Sequence, residues 1–364
     1  MRLTLLVLLQ FVFTLCSFSQ TKKVSFLFVG DAMQHQSQID AAKTEGGYDY
    51  SDYFKNIEDK VNEADVAVVN LEVALGGKPY NGYPMFSAPD EYAVALKDAG
   101  FDIFLLANNH CLDRRKKGLE RTIRILDSLK IKHTGTFVDE TKRELYYPLM
   151  MIKNGIRIAM LNYTYGTNGV KVQSPNIVNY IDRQQIKADI DVAKGMKADI
   201  IIANMHWGDE YLLKENKTQR DLADFLLQNG VRLIIGNHPH VVQPIDVKTE
   251  GDVVQSVTVY SLGNFISGMK KTDCGGGLML RIDISKEDDQ PVKIEDIECS
   301  LVWTKKAIKN GVYQSFELIP VDDFYNEEGK EHLGAVQYEQ MELFAKNAKK
   351  AINSLCAEGE ELIK

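Results

Sequence analysis

Apolar residues along this chain gather in short runs that stop at polar, chemistry-bearing residues. "VSFLFVGD" ends at Asp31, "ADVAVVNLE" runs into Asn70 and Glu72, and "FDIFLLANNH" ends at Asn108, Asn109 and His110. "ADIIIANMHWGDE" contains His206, and "VRLIIGNHPH" closes on His238 and His240. Each run is rich in β-branched or aromatic residues and nearly continuous in its apolar character, which predicts strands covered on both faces. Helical periodicity lies between them. "YSDYFKNIEDKVNEA" precedes the second run and "PDEYAVALKDAG" the third, and "LDRRKKGLERTIRILDSLK" follows with Leu119, Ile123, Leu126 and Leu129 along one face. "TQRDLADFLLQNG" precedes the fifth run and closes on Gly230, a helix C-terminal signal. This alternation predicts an α/β domain, a class that places ligands at its strand ends.

The middle and the end of the chain read differently. "YYPLMMIKNGIRIAMLNY" holds two strand-like runs around Asn154-Gly155, a strong hairpin signal. "VVQPIDVKTEGDVVQSVTVYSLGNF" and "GGGLMLRIDISKEDDQPVKIEDIECSLVW" predict further antiparallel strands. Two packed sheets flanked by helices accommodate this β content. The main domain is expected over residues 20–300. Residues 301–364 read as an extension with strands and a terminal helix, whose Tyr338, Met341, Ala345, Ala348, Ile352 and Leu355 form a packing stripe.

The amino terminus changes the picture. "MRLTLLVLLQFVFTLCSFSQ" carries Arg2, then an apolar run to about Cys16, then the small residues Ser17 and Ser19. This predicts a signal peptide over residues 1–19, cleaved before Gln20, and a chain exported to the periplasm or cell surface. Anchoring by an uncleaved segment or by lipid on Cys16 is the minority reading. Removal of residues 1–19 leaves Cys111, Cys274, Cys299 and Cys356, too few for a disulfide framework; one bridge, Cys274–Cys299, fits an oxidising compartment. The full chain of 364 residues has a net charge of −8, which argues against nucleic acid as a partner.

Candidate chemistry concentrates at the strand ends. In extended backbone His238 and His240 point to one side, and Pro239 restricts His238 to extended conformations. Asp31, Glu72, Asn109, His206, His238 and His240 together supply carboxylate, amide and imidazole ligands, a mixture that suits Mn, Fe, Zn or Ni better than calcium. Trp207, Ser261 and Asn264 lie in nearby motifs and are candidates for substrate contact. Cys111 has no specified basic partner and is a weak nucleophile candidate.

"GDAM", "VNLEVAL", "NNHCLDRRKKGL", "HWGDEY", "GNHPHVVQP" and "YSLGNF", in this order, resemble the bacterial capsule-synthesis CapA family over roughly residues 24–268. That family is associated with poly-gamma-glutamate capsules and is related to the calcineurin-like metallophosphoesterases. The resemblance implies a metallophosphoesterase-like double β-sandwich flanked by helices, a four-layer αββα fold. It makes Asp31 and His240 ligands of a first metal, Glu72 a bridge, and Asn109, His206 and His238 ligands of a second, with His110 as the catalytic proton donor or charge stabiliser. One departure matters. The phosphoesterase pattern has a histidine two residues after its first aspartate, where this chain has Met33. A thioether is a poor ligand for hard divalent ions, so one firm and one weaker metal site are expected, unless His35 folds back to help.

The expected function is an exported metal-dependent hydrolase of an anionic polymer or phosphoester, acting in surface-polymer biosynthesis beside other capsule-assembly proteins. The alternative is a non-catalytic protein that binds or guides such a polymer during assembly and export.

Overall fold

The computed structural model describes residues 21–356 and 360–363. The expected signal peptide and Cys16 lie outside the described residues. No described helix is long and apolar enough to cross a membrane.

The strands are β1 (Lys22–Ala32), β2 (Val66–Leu71), β3 (Ile103–Leu105), β4 (Lys132–Thr134), β5 (Thr136–Phe137), β6 (Leu149–Lys153), β7 (Ile156–Thr164) and β8 (Ile177–Val178). They continue as β9 (Ile200–His206), β10 (Leu233–Asn237), β11 (Ile245–Glu250), β12 (Val253–Val259), β13 (Asn264–Ile266), β14 (Gly276–Lys286), β15 (Lys293–Lys309) and β16 (Val312–Pro320). All but β5 and β8 join one sheet, whose main path is β4-β3-β2-β1-β14-β15-β12-β10-β9-β7-β6. The contact between β15 and β12 is a single ladder pair, Ile294 opposite Val254. There the sheet divides into two halves.

Side-chain alternation shows how the halves are arranged. Val24, Phe26 and Phe28 of β1 share one core with Ile156, Ile158 and Met160 of β7 and with Ile200 and Ile202 of β9. The residues between them point away. Leu27 and Val29 join a second core with Leu96, Leu119 and Ile123 of the helices Asp90–Asp98 and Arg115–Ser128. Ala159 and Leu161 join a third with Ile186, Ile190 and Leu222 of the helices Arg183–Gly195 and Lys217–Gln228. Strands buried on both faces read as unbroken apolar runs for this reason. Helix, sheet, sheet, helix is therefore the layer order, the four-layer αββα arrangement.

Several local signals have the expected form. Asn154 and Gly155 both have positive φ, 48° and 81°, as a two-residue hairpin between β6 and β7 demands. The helix Lys217–Gln228 is followed by Gly230 at φ 91°. The stretch "YSDYFKNIEDKVNEA" differs: it forms two short helices, Ser51–Phe54 and Glu58–Asn62, rather than one.

Two larger expectations need correction. The division at residue 300 falls inside β15, which runs unbroken from Lys293 to Lys309. Beyond it, Phe316 and Leu318 enter the second core, while Ile319, Met341, Phe344 and Ile352 enter the central one. Each such side chain contributes about 1.5–3 kcal/mol of burial, so this segment is part of the domain's interior. Cys274 and Cys299 are also not bridged, both being free thiols. Trp303 sits opposite Gly276 in the β14–β15 ladder and Cys299 opposite Leu280. Cys274 therefore lies several residues further along, a separation on the order of 20 Å at ~3.4 Å per residue.

Candidate metal centre

Parallel register collects the strand-end residues. Asp31 of β1 stands beside Asn70 of β2 on one side and Asn264 of β13 on the other. In the other half, His206 of β9 stands beside Asn237 of β10. Two glycines let these ends come close. A Cβ on Gly30 would lie 1.9 Å from the Gly263 carbonyl oxygen, and one on Gly236 would lie 2.0 Å from that of Tyr260. These are the glycines of "VGD" and "IIGNHPH".

The second histidine pair does not arrive in extended backbone. His238 has φ 101° and His240 φ 60°, so a bend, rather than strand alternation, turns both rings inward. Non-glycine residues with positive φ are strained, and such strain clusters at functional sites. The His238 amide donates to Asp31 Oδ2 at 3.2 Å, which ties the bend to the opposite half of the sandwich.

Asp31, Glu72, Asn109, His206, His238 and His240 converge and are almost wholly buried. Their ligand atoms fall into two groups, Glu72 with His238 and His240, and Asp31 with Glu72 and His206, each within 4.8 Å. Glu72 belongs to both, as a bridge must. The geometry pairs the histidines differently from the resemblance: His206 falls with Asp31 and His238 with His240. His206 Nε2 lies 2.9 Å from Asn109 Oδ1 and 3.6 Å from Glu72 Oε1. His240 turns Nδ1 toward Asn264 Oδ1 at 3.0 Å and Asp31 Oδ2 at 3.2 Å, leaving Nε2 facing Glu72 Oε1 at 4.0 Å.

Electrostatics separates the two carboxylates. Burial pushes Asp31 up, but hydrogen bonding and charge from His240 outweigh it and hold the carboxyl down at about 2. Burial and the neighbouring Asp31 push Glu72 well above the ordinary value. Burial, then His238, pushes His206 well below its ordinary value, and burial, then His240, takes His238 down to about 3. Neutral imidazole is the form that binds metal.

The donor set fits a divalent ion on a further ground. Both carboxylate oxygens of Glu72 and Nδ1 of His238 are buried with no hydrogen-bond partner among the described residues. Unsatisfied buried polar atoms are rare in native proteins and call for an occupant. With carboxylates, imidazoles and one amide, the set matches transition metals rather than calcium.

Other candidates lie outside these two ligand groups. His110 Nδ1 is 2.7 Å from Asp113 Oδ2, and its ring packs edge-on against Phe86 at 4.6 Å. Asp113 escaped the sequence reading, although its signal was present as the aspartate three residues after His110. Asn70, noted at its strand end but not among the candidate ligands, donates its amide to Asp31 Oδ1 at 2.7 Å and lies 3.3 Å from His206 Nδ1. Trp207, Ser261 and Asn264, the candidates for substrate contact, are buried and bond to neighbouring residues of the chain. Trp207 Nε1 donates to the Tyr260 carbonyl, Ser261 Oγ accepts from the Gly263 amide, and Asn264 holds His240.

Met33 is buried in the helix-side core. His35 does not replace it, because its Nδ1 accepts from the Gly268 amide at 3.1 Å and it belongs to neither ligand group. Burial pushes the Cys111 thiol up to about 12, which leaves it inert as a nucleophile. A cavity of about 710 Å³, lined by Ile123, Ile131, Phe137 and Leu149 among others, contains none of the site residues.

Comparison with known proteins follows the same lines. Residues 25–269 match the family described as "Bacterial capsule synthesis protein PGA_cap". The chain is 30% identical to the capsule biosynthesis protein CapA of Bacillus anthracis, over 68% of this chain and 60% of that protein. It is 27% identical to the PGA biosynthesis protein CapA of Bacillus subtilis, over 80% of this chain and 81% of that one. Among solved structures it is similar to the NAD nucleotidase of Haemophilus influenzae, with a TM-score of 0.46 at 12% identity, covering 92% of this chain and 64% of that one. A 5'-nucleotidase precursor of Thermus thermophilus gives a TM-score of 0.45 at 12% identity, covering 88% and 59%.

Proposed function

The chain belongs to the bacterial capsule synthesis family, and from that premise we propose that it is a metal-dependent phosphoester hydrolase serving surface-polymer biosynthesis outside the cytoplasm. The observation that carries the chemistry is the pair of unpartnered, buried Glu72 oxygens within reach of three histidine rings. Export rests on the sequence of residues 1–19.

Glu72, His238 and His240 would hold one ion; Asp31, Glu72 and His206 would hold the other, with Asn109 Oδ1 beside His206. Bound divalent metal polarises a phosphoryl oxygen and makes water acidic near neutral pH. The chain's own residues do the rest. Asn264 and Asp31 fix the orientation of His240, and Asp113 holds the proton on His110 Nδ1. Carrying a second proton on Nε2, His110 would give that proton to the leaving oxygen and keep the one on Nδ1. Phe86 restricts the tilt of that ring.

The test is a phosphoester screen of the metal-loaded chain against His110→Ala. Positioned proton transfer is worth about 10²–10⁴-fold. The expected result is a rate loss on that scale with metal content unchanged. A parent chain that loads metal but cleaves no phosphoester would favour the polymer-binding reading instead.

A further inference from the structure

Three exposed tyrosines stand around the candidate metal centre, two of them beside its histidines and the third beside Phe86, which packs on His110. Tyr165, 48% exposed, lies 4.5 Å from the His238 ring and 6.4 Å from that of His206. Tyr211, 39% exposed, lies 6.1 Å from the His240 ring. Tyr83, 71% exposed, packs on Phe86 at 6.3 Å, and Phe86 in turn packs on His110. The three come from separate loops, so no single helix or strand periodicity accounts for their convergence.

Tyr211 is held there at a conformational cost. Its φ is 68°, an outlier for a bulky residue, and its amide donates to the Pro239 carbonyl at 2.8 Å. That bond fastens it to the bend carrying His238 and His240. A strained backbone that presents an exposed aromatic ring beside a candidate ligand makes sense if the ring touches substrate.

Two lysines lie close to these rings. The Lys271 ammonium sits over the Tyr211 ring at 3.4 Å, and the Lys306 ammonium donates to the Met269 carbonyl. Both ammonium groups have a partner within the protein. A ring needs aromatic faces; Tyr165 and Tyr83 are exposed at the mouth, and Lys271 caps one face of Tyr211.

We propose that Tyr165 and Tyr211, with Tyr83 at the rim, form a stacking subsite for a ring-bearing phosphate monoester, its phosphate directed to the metal centre and its sugar or base ring held between aromatic faces. This rests on the hydrolase reading only in taking the buried cluster as the phosphate end. A flat base and the C–H face of a sugar share this recognition chemistry.

Isothermal titration of the full chain with excess Mn²⁺ separates the sources, using a hexose phosphate, a nucleoside monophosphate and the ringless glycerol phosphate. At least one ring-bearing ester should bind about tenfold more tightly than glycerol phosphate, the scale of a single aromatic stack. A hexose preference assigns a sugar, and a nucleotide preference assigns a base. Tyr165→Ala and Tyr211→Ala should each erode that advantage without lowering bound metal or affinity for glycerol phosphate, and the Phe variants should keep it. Equal affinities for all three, no binding by any, or an advantage that survives both alanine variants would overturn the proposal. Tighter ring binding through the tyrosines with no hydrolysis would sink the hydrolase reading and leave this one standing.

Discussion

Asp31 and Glu72 are two carboxylates in one buried cluster, and their surroundings treat them in opposite ways. Asp31 is satisfied by the Asn70 amide, the His238 backbone and the His240 ring. Its charge is stabilised before anything binds. Glu72 has neither oxygen bonded among the described residues, and burial beside Asp31 makes its charge unfavourable. One carboxylate is held by the fold itself; the other has no such support among the described residues, and a bound cation would supply it. Identical chemistry in the sequence thus acquires opposite energetics from the hydrogen bonds around it.

The sharpest way to break this comparison is to neutralise each acid in turn. Glu72→Gln should remove at least ~100-fold in metal affinity, since it touches both ligand groups. The same change should leave the metal-free protein as stable as the parent or more so, by ~1–3 kcal/mol, because an unsatisfied buried carboxyl is gone. Asp31→Asn should also weaken metal binding but destabilise the metal-free protein by ~1–3 kcal/mol. Thermal unfolding in chelator reads both, and equal signs would contradict the account.

The pH dependence of the metal-free protein follows next. A raised carboxyl binds its proton more tightly folded than unfolded, so Glu72 lowers stability as pH rises above its ordinary 4.5. His206 and His238 are lowered, so the unfolded chain binds more protons below 6.5 and stability falls as pH falls from there. Denaturant unfolding in chelator should show both trends, and Glu72→Gln should flatten the upper one. A parent curve flat from pH 4.5 to 7 would count against the assigned electrostatics.

A smaller effect is expected at Asn264, whose oxygen faces His240 Nδ1. Asn264→Ala should weaken one metal by about 10–100-fold, the usual range for a group that orients a ligand. Titration calorimetry would show one step shifted and the other unchanged; no shift would make Asn264 a loop residue only. Smallest is His35→Gln. Burial and His240 push His35 down to about 4, so this change should slightly ease the acid destabilisation between pH 4 and 6.5 while leaving metal content alone. A fall in metal content would return His35 to the ligand set.

Much of this arrangement was legible in the sequence, for reasons the structure makes plain. Apolar runs ending in polar residues marked strands buried on both faces, and the candidate ligands Asp31, Glu72, Asn109 and His206 stand at or just past strand ends. What was hidden depends on bends and side-chain partners. The inward turn of His238 and His240 is set by positive φ rather than by strand alternation, which no spacing rule announces. Trp207, Ser261 and Asn264 lay in the right motifs, but their side chains bond into the scaffold. The boundary near residue 300 failed because β15 crosses it and later residues close the central core. Long-range packing of that kind leaves no local signature.

The measurement that tests the central claim most directly is elemental analysis of the purified chain beside a His206→Ala/His238→Ala variant, after reconstitution with Mn, Fe, Zn and Ni. The account predicts near-stoichiometric transition metal in the parent and almost none in the variant, with both folded by circular dichroism. A parent that takes up no metal, or a variant that keeps all of it, would contradict a metal centre at these strand ends.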